Sequence, residues 1–149
     1  MAISDEYKDL VSYFEKAIKI IEKMGMRILD FQKQSVKIML PKEPNVNHIG
    51  TVYAGSLFSL ADFAGGVLFY SAFDLRKYYP LLKEVTITFK RPATTDITVE
   101  TSMTPEHAEG IKKIADETGK ADWALDLELK DEQGNVCCIA HCTFQMRRS

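Results

Sequence analysis

Twenty-two consecutive residues, Val52 to Phe73 (VYAGSLFSLADFAGGVLFYSAF), contain one charge, Asp62. An apolar run of this length must either span a bilayer or be wrapped by the rest of the chain. A span is the weaker reading. Asp62 lies near the middle, at an insertion cost of roughly 2.5–3.5 kcal/mol. Three serines (Ser56, Ser59, Ser71) and Gly65-Gly66 lower the hydrophobicity further. The residues that follow alternate in polarity like strands and need an apolar partner of their own. The pattern therefore predicts a soluble domain built around a mostly buried helix, with no membrane span.

The 149 residues fit one domain, 1–149,. Nineteen basic and 21 acidic side chains give a formal charge of −2. A general nucleic-acid binder needs a concentrated basic face, so no nucleic-acid partner is expected. Three cysteines are too few, and odd in number, for a disulfide framework, so a reducing, cytoplasmic setting is expected,. The start, Met1-Ala2-Ile3-Ser4-Asp5-Glu6, is acidic and shows no secretory signal,.

Residues 5–24 place Leu10, Val11, Phe14, Ala17, Ile18, Ile21 and Met24 at helical spacing, with Ser4 as N-cap and Gly25 beyond the last turn,. Core packing is the expected use of that apolar stripe. Strands are predicted at 35–40, 85–90, 97–103, 123–130 and 136–146, the fourth with the cleanest period of two,. Asp131 to Asn135 turns the last pair. Thr104-Pro105 opens a short helix with Ala108, Ile111, Ile114 and Ala115 on one face and Gly119 at its end,. This order predicts an α+β fold, an antiparallel five-stranded sheet wrapped around one long helix, with a core over about residues 26–148.

Two features carry chemistry. The first is the loop and first turn at the helix start, Asn45-Val46-Asn47-His48-Ile49-Gly50-Thr51-Val52-Tyr53-Ala54-Gly55-Ser56. Unpaired N–H groups at a helix N-terminus hold an oxyanion where small residues let it approach. The second is Asp62, for which two readings stay open: a reactive carboxylate of perturbed pKa, or a structural Asp bonded to backbone across a dimer seam. Tyr53 and Asp62 are nine residues apart, about 13–14 Å along a straight helix. One helix cannot offer oxyanion donors and a base to the same carbonyl. If both features are catalytic, two chains must share the site.

Asn47 through Asp62, with Gly50-Thr51, Ala54-Gly55 and Leu60-Ala61-Asp62, resembles the helix-start motif of hotdog-fold acyl-CoA thioesterases of the PaaI-like group. Val85 to Pro92, ending Arg91-Pro92, is similar to that group's next strand. The Asn-x-Asn-x-x-Gly-Thr-x-aromatic-x-Gly-Ser-Leu spacing and the helix near 105–118 are closer still to a thioesterase-like domain appended to some acetyltransferases. The resemblance implies a hotdog fold and hydrolysis of an acyl-CoA, with Asp62 as base or nucleophile. It also implies that Asn47 positions water or substrate and that Ala54 and Gly55 form the oxyanion hole. His48 (alternatively a loop cap), Tyr53 and Ser56 are candidate substrate contacts. Of the basic pairs Arg76-Lys77, Lys90-Arg91 and Arg147-Arg148, whose default reading is solvated surface, Lys90 and Arg91 are the candidates for coenzyme A phosphates,. Tyr53 stands where the group has His, and Ala54 where it has Gly. The family further implies a homodimer or dimer of dimers, and no cofactor beyond the coenzyme A of the substrate.

Other constellations are weaker. On a strand, Cys138 and Cys142 face one way and Cys137 and His141 the other, so no metal site is expected. Ser56, His48 and Asp62 lack the strand–turn–helix setting of a hydrolase triad. Gly65-Gly66 in a helix interior implies close packing by another element. Two competing functions remain. One is a non-catalytic acyl-CoA or acyl-chain binding protein, favoured by Tyr53 in place of His. The other is a dehydratase or hydratase, for which His48 is the available histidine.

Overall fold

The computed structural model describes residues 3–149. Met1 and Ala2, part of the N-terminal segment read for a signal, lie outside the described residues. A tight turn at Asp5–Tyr7 leads into α1 (Lys8–Ala17) and α2 (Lys19–Met24). Then follow β1 (Arg27–Gln32), β2 (Ser35–Leu40), α3 (Ala54–Ala72), β3 (Tyr78–Phe89), β4 (Ile97–Ser102), α4 (Pro105–Thr118), β5 (Lys120–Lys130) and β6 (Val136–Arg148).

The six strands form one antiparallel sheet in the order β1-β2-β4-β5-β6-β3. It is six-stranded, where five strands are expected from the sequence. β1 escapes the alternation rule because a register irregularity between Ile28 and Asp30 breaks its period and turns Asp30 inward,. β3 starts seven residues before the expected Val85, with Pro80 inside it. An edge strand tolerates a proline because the missing N–H lies on its unpaired side, and β3 is the edge beside β6,.

α3 contacts every strand from β2 to β6, so the sheet curls around it. Inward side chains of β5 (Ala121, Trp123, Leu125, Leu127, Leu129) and β6 (Cys138, Ala140, Cys142, Phe144, Met146) meet it, while Thr86, Thr88, Asp126 and Glu128 are exposed. Trp123 stacks on Phe144 with centroids 4.9 Å apart and lies 6.3 Å from Phe69. Gly65 is the point of closest approach: any Cβ there would run into the Phe144 ring. No helix among the described residues is long and apolar enough to cross a membrane.

The N-terminal helix differs from its sequence pattern. It breaks at Ile18, whose backbone is extended (φ −105°, ψ 114°), leaving Ile18 half exposed. Ser4 caps with its carbonyl, which accepts from the Tyr7 N–H, and its hydroxyl makes no cap bond. Gly25 (φ +77°) and Gly119 (φ +92°) do take the left-handed position beyond their helices,. Thr104 caps α4, its Oγ accepting from the His107 N–H at 3.1 Å. Ile114, expected on the buried face of α4, is 51% exposed, since Ala108, Ile111 and Ala115 alone fill that contact.

Candidate active site

The loop that delivers α3 is held by its own polar groups. Asn45 is buried; its Nδ2 donates to the carbonyls of Met24 (2.8 Å) and Pro41 (2.9 Å). Its Oδ1 accepts from Ser56 Oγ at 3.0 Å, so Ser56 is buried and occupied in anchoring the first turn. That bond turns Ser56 away from the surface where a substrate would lie. Asn47 shapes the next bend. Its Oδ1 accepts from the N–H groups of Ile49 and Thr51, and its Nδ2 donates to Thr51 Oγ at 2.9 Å. One Asn47 amide hydrogen remains for a further acceptor. Gly50 takes φ +87° between them, a conformation that a Cβ disfavours,.

Tyr53 precedes α3 with extended backbone and makes no side-chain cap. Its carbonyl accepts from Ser56 and Leu57, so the N–H groups of Ala54 and Gly55 come before the first helical bond,. Tyr53 is exposed and its ring folds over Gly55, leaving no room there for a Cβ. His48 is exposed in the same loop. Lys90 and Arg91 leave the end of β3 as exposed side chains, their N–H groups bonded to the Cys137 carbonyl. Two residues on, the Ala93 carbonyl accepts from the Val52 N–H at 2.8 Å. The structure thus brings Asn47, His48, Tyr53, Ala54, Gly55, Lys90 and Arg91 toward one end of α3.

Asp62 belongs to a different place. α3 is not sealed all round: Ala54, Phe58, Asp62, Gly66 and Tyr70 form an incompletely buried i, i+4 stripe,. Asp62 sits mid-stripe, eight residues or about 12 Å from Ala54. It faces a cavity of about 480 Å³ between α3, α1 and the start of β3, walled by apolar side chains such as Phe14, Phe63 and Val67. Those walls partly desolvate the carboxylate and push its pKa up, with no bonding partner among the described residues to offset the effect,. Within one chain, then, the helix-start groups and Asp62 do not meet.

Over residues 9–147 the sequence matches the family described as a domain of unknown function, DUF4442. The chain belongs to that family. A Pseudomonas aeruginosa protein of unknown function, described as a probable thioesterase, shares 38% identity over 93% of both chains, with a TM-score of 0.89. A Haemophilus influenzae thioesterase gives a TM-score of 0.72 at 13% identity over 95% of this chain and 90% of that one. A thioesterase variant from P. aeruginosa gives 0.73 at 19%, over 95% and 94%. These two likenesses speak for the fold alone. No curated protein matches the sequence. The DUF4442 chain therefore has the layout of hotdog-fold thioesterases, one helix inside an antiparallel sheet. The narrower likeness to acetyltransferase-appended domains rests on the motif alone.

Residues that the sequence reading assigned to core packing or passed over complete the DUF4442 groove: Tyr13, Phe14 and Ala17 of α1, Ile18 at the break after it, and Leu75 and Pro80. The N-terminal apolar stripe was the available signal, but it runs on past the break at Ile18 and so reads as uniform core. On β6, Cys138 and Cys142 point into the core, where burial raises their thiols to about 12 and about 11. His141 points out and its Nδ1 lies 2.7 Å from Asp126. Among the described residues no group of three His, Cys, Asp or Glu side chains could hold a metal ion.

Proposed function

We propose that the protein hydrolyses acyl-CoA thioesters as a homodimer, or a dimer of dimers, whose active sites lie between two chains. The observation that carries this reading is Asp62, a carboxylate of raised pKa at an apolar groove, about 12 Å from the oxyanion donors of its own helix,. A second chain, with its α3 antiparallel, supplies those donors. The unpaired edge of β3 offers a seam for such pairing,.

In this mechanism Asp62 takes a proton from a water molecule as its oxygen bonds to the thioester carbonyl carbon. The N–H groups of the partner's Ala54 and Gly55 hold the developing oxyanion. Collapse of the tetrahedral intermediate breaks the C–S bond. The thiolate leaves and takes up a proton, giving a carboxylic acid and coenzyme A. Direct attack by Asp62, through an anhydride that water then opens, gives the same products. Asn47 orients the water, Tyr53 and His48 line the approach, and Lys90 and Arg91 meet the coenzyme phosphates. Ser56 acts through Asn45, holding the first turn in place.

A thiol-release screen over short, medium, long and aromatic acyl-CoAs tests the reading. At least one substrate should turn over, and Asp62→Asn should lower kcat on the order of 10³-fold while the fold persists. Unchanged turnover in that variant removes Asp62 from the mechanism. A second reading, acyl-CoA binding without catalysis, is favoured by the Tyr53 ring lying over Gly55. Tight binding with no thiol released from any substrate would establish it.

A further inference from the structure

Gly66 lies one turn beyond Asp62 on the open stripe of α3, and a Cβ built there meets nothing within 4 Å. It lines the same cavity as Asp62, so the missing side chain is open space in the groove. This reverses the close packing that its sequence context implies. A helix-interior glycine costs roughly 1 kcal/mol against alanine, and here no packing contact explains it. The wall opposite comes from α1, where Phe14 stacks on Tyr70 with centroids 5.1 Å apart. The groove therefore runs from Asp62, past Gly66, to an aromatic pair two turns away.

The lining excludes several acyl classes. Among the described residues Asp62 is its only charged side chain, so an acyl chain ending in a carboxylate meets no cation from them. Its other polar side-chain groups are the hydroxyls of Tyr13 and Tyr70, too few to satisfy a polyhydroxylated chain,. An acetyl group would leave most of the apolar wall in water. Asp62 to Tyr70 is about 12 Å along the helix. With C–C bonds of about 1.5 Å, an extended hydrocarbon advances about 1.25 Å per carbon, so the groove matches about ten carbons.

Resting on the thioesterase reading above, we propose that this groove holds the aliphatic acyl chain of a medium-chain thioester, octanoyl to dodecanoyl. Gly66 keeps the channel open beside the reacting carbonyl, and Ala17 keeps the facing wall of α1 low.

The test compares wild type with Gly66→Leu and, from the opposite wall, Ala17→Phe. It measures kcat/KM on acetyl-, butanoyl-, octanoyl-, decanoyl- and benzoyl-CoA, decanoate binding by calorimetry, and the oligomeric state of each variant. Wild type should favour octanoyl or decanoyl. The decanoyl-to-butanoyl ratio should fall at least tenfold in both variants, as steric loss of pocket contacts does. A wild-type optimum at acetyl or benzoyl, or an unchanged ratio in both variants, overturns the groove assignment and leaves the thioesterase reading intact. If no thioester is cleaved, the thioesterase reading falls. Decanoate binding lost in Gly66→Leu would then still support the groove, and no decanoate binding would overturn both. A Gly66→Leu chain that no longer self-associates but binds decanoate normally makes the groove a contact between copies, which also overturns the proposal.

Discussion

Gly65 and Gly66 are adjacent in α3, yet a methyl group added to the first would strike the ring of Phe144, and one added to the second would meet empty space. The first belongs to the face wrapped by the sheet, where Leu60, Ala61, Ala64 and Leu68 are fully buried. The second belongs to the stripe of Ala54, Phe58, Asp62 and Tyr70, which no other element among the described residues covers completely. On the wrapped face each residue is explained by what it touches. On the open stripe the chain keeps a helix-weakening glycine, a half-exposed phenylalanine and a carboxylate without a partner among the described residues, none of which improves the fold. Residues that the fold does not reward point to a function, and here they lie together.

Loss of the anchor at the first turn should produce the largest stability change on the wrapped side. Asn45→Ala removes three hydrogen bonds and leaves the Ser56 hydroxyl and two carbonyls without their partner. The expected cost is about 3 kcal/mol, read as a loss of roughly 6–12 °C in Tm. A loss below 2 °C would mean that water replaces all three bonds and that the loop is held elsewhere.

The glycine pair gives a smaller and signed contrast. Gly65→Ala should cost about 1–3 kcal/mol through overpacking against Phe144. Gly66→Ala should gain up to about 1 kcal/mol from helix propensity, since nothing opposes its methyl group,. Urea midpoints of the two variants should therefore move in opposite directions. Two shifts of the same sign would show that the stripe is packed in solution, as it would be if a second chain lay directly on Gly66.

The same division explains what the sequence made legible. β5, alternating buried and exposed from Ala121 to Lys130, and the caps at Thr104, Gly25 and Gly119 follow local rules that tertiary contacts did not override. The wrapped helix was legible because 22 residues with one charge leave few alternatives. β1 was hidden by the irregularity that turns Asp30 inward, and the first half of β3 by Pro80, which only an edge position excuses. The open stripe was invisible because alanine, phenylalanine, glycine and tyrosine read as core wherever they stand. Asp62 was visible as an anomaly, but its groove was not. The groove depends on α1 stopping at Ile18, and an unbroken apolar period carries no sign of that stop.

The smallest predicted effect asks which of the two readings of Asp62 holds. Its pKa is raised above 3.8 by apolar surroundings, so the folded chain holds the proton more tightly than the unfolded one,. The stabilising difference is fully present below pH 3.8 and is lost as pH rises through the raised folded value. At pH 7 the ionised carboxylate therefore weakens the fold, though solvent at an open side chain limits the effect to about 0.5 kcal/mol. Asp62→Asn should thus melt about 1–2 °C above wild type at pH 7, with the gain shrinking toward pH 3.5. Gain of stability with loss of turnover is the pattern of a residue kept for chemistry. If the variant instead melts below wild type at pH 7, the carboxylate has a partner that a single chain does not supply. The structural reading, a bond across a dimer seam, would then displace the catalytic one.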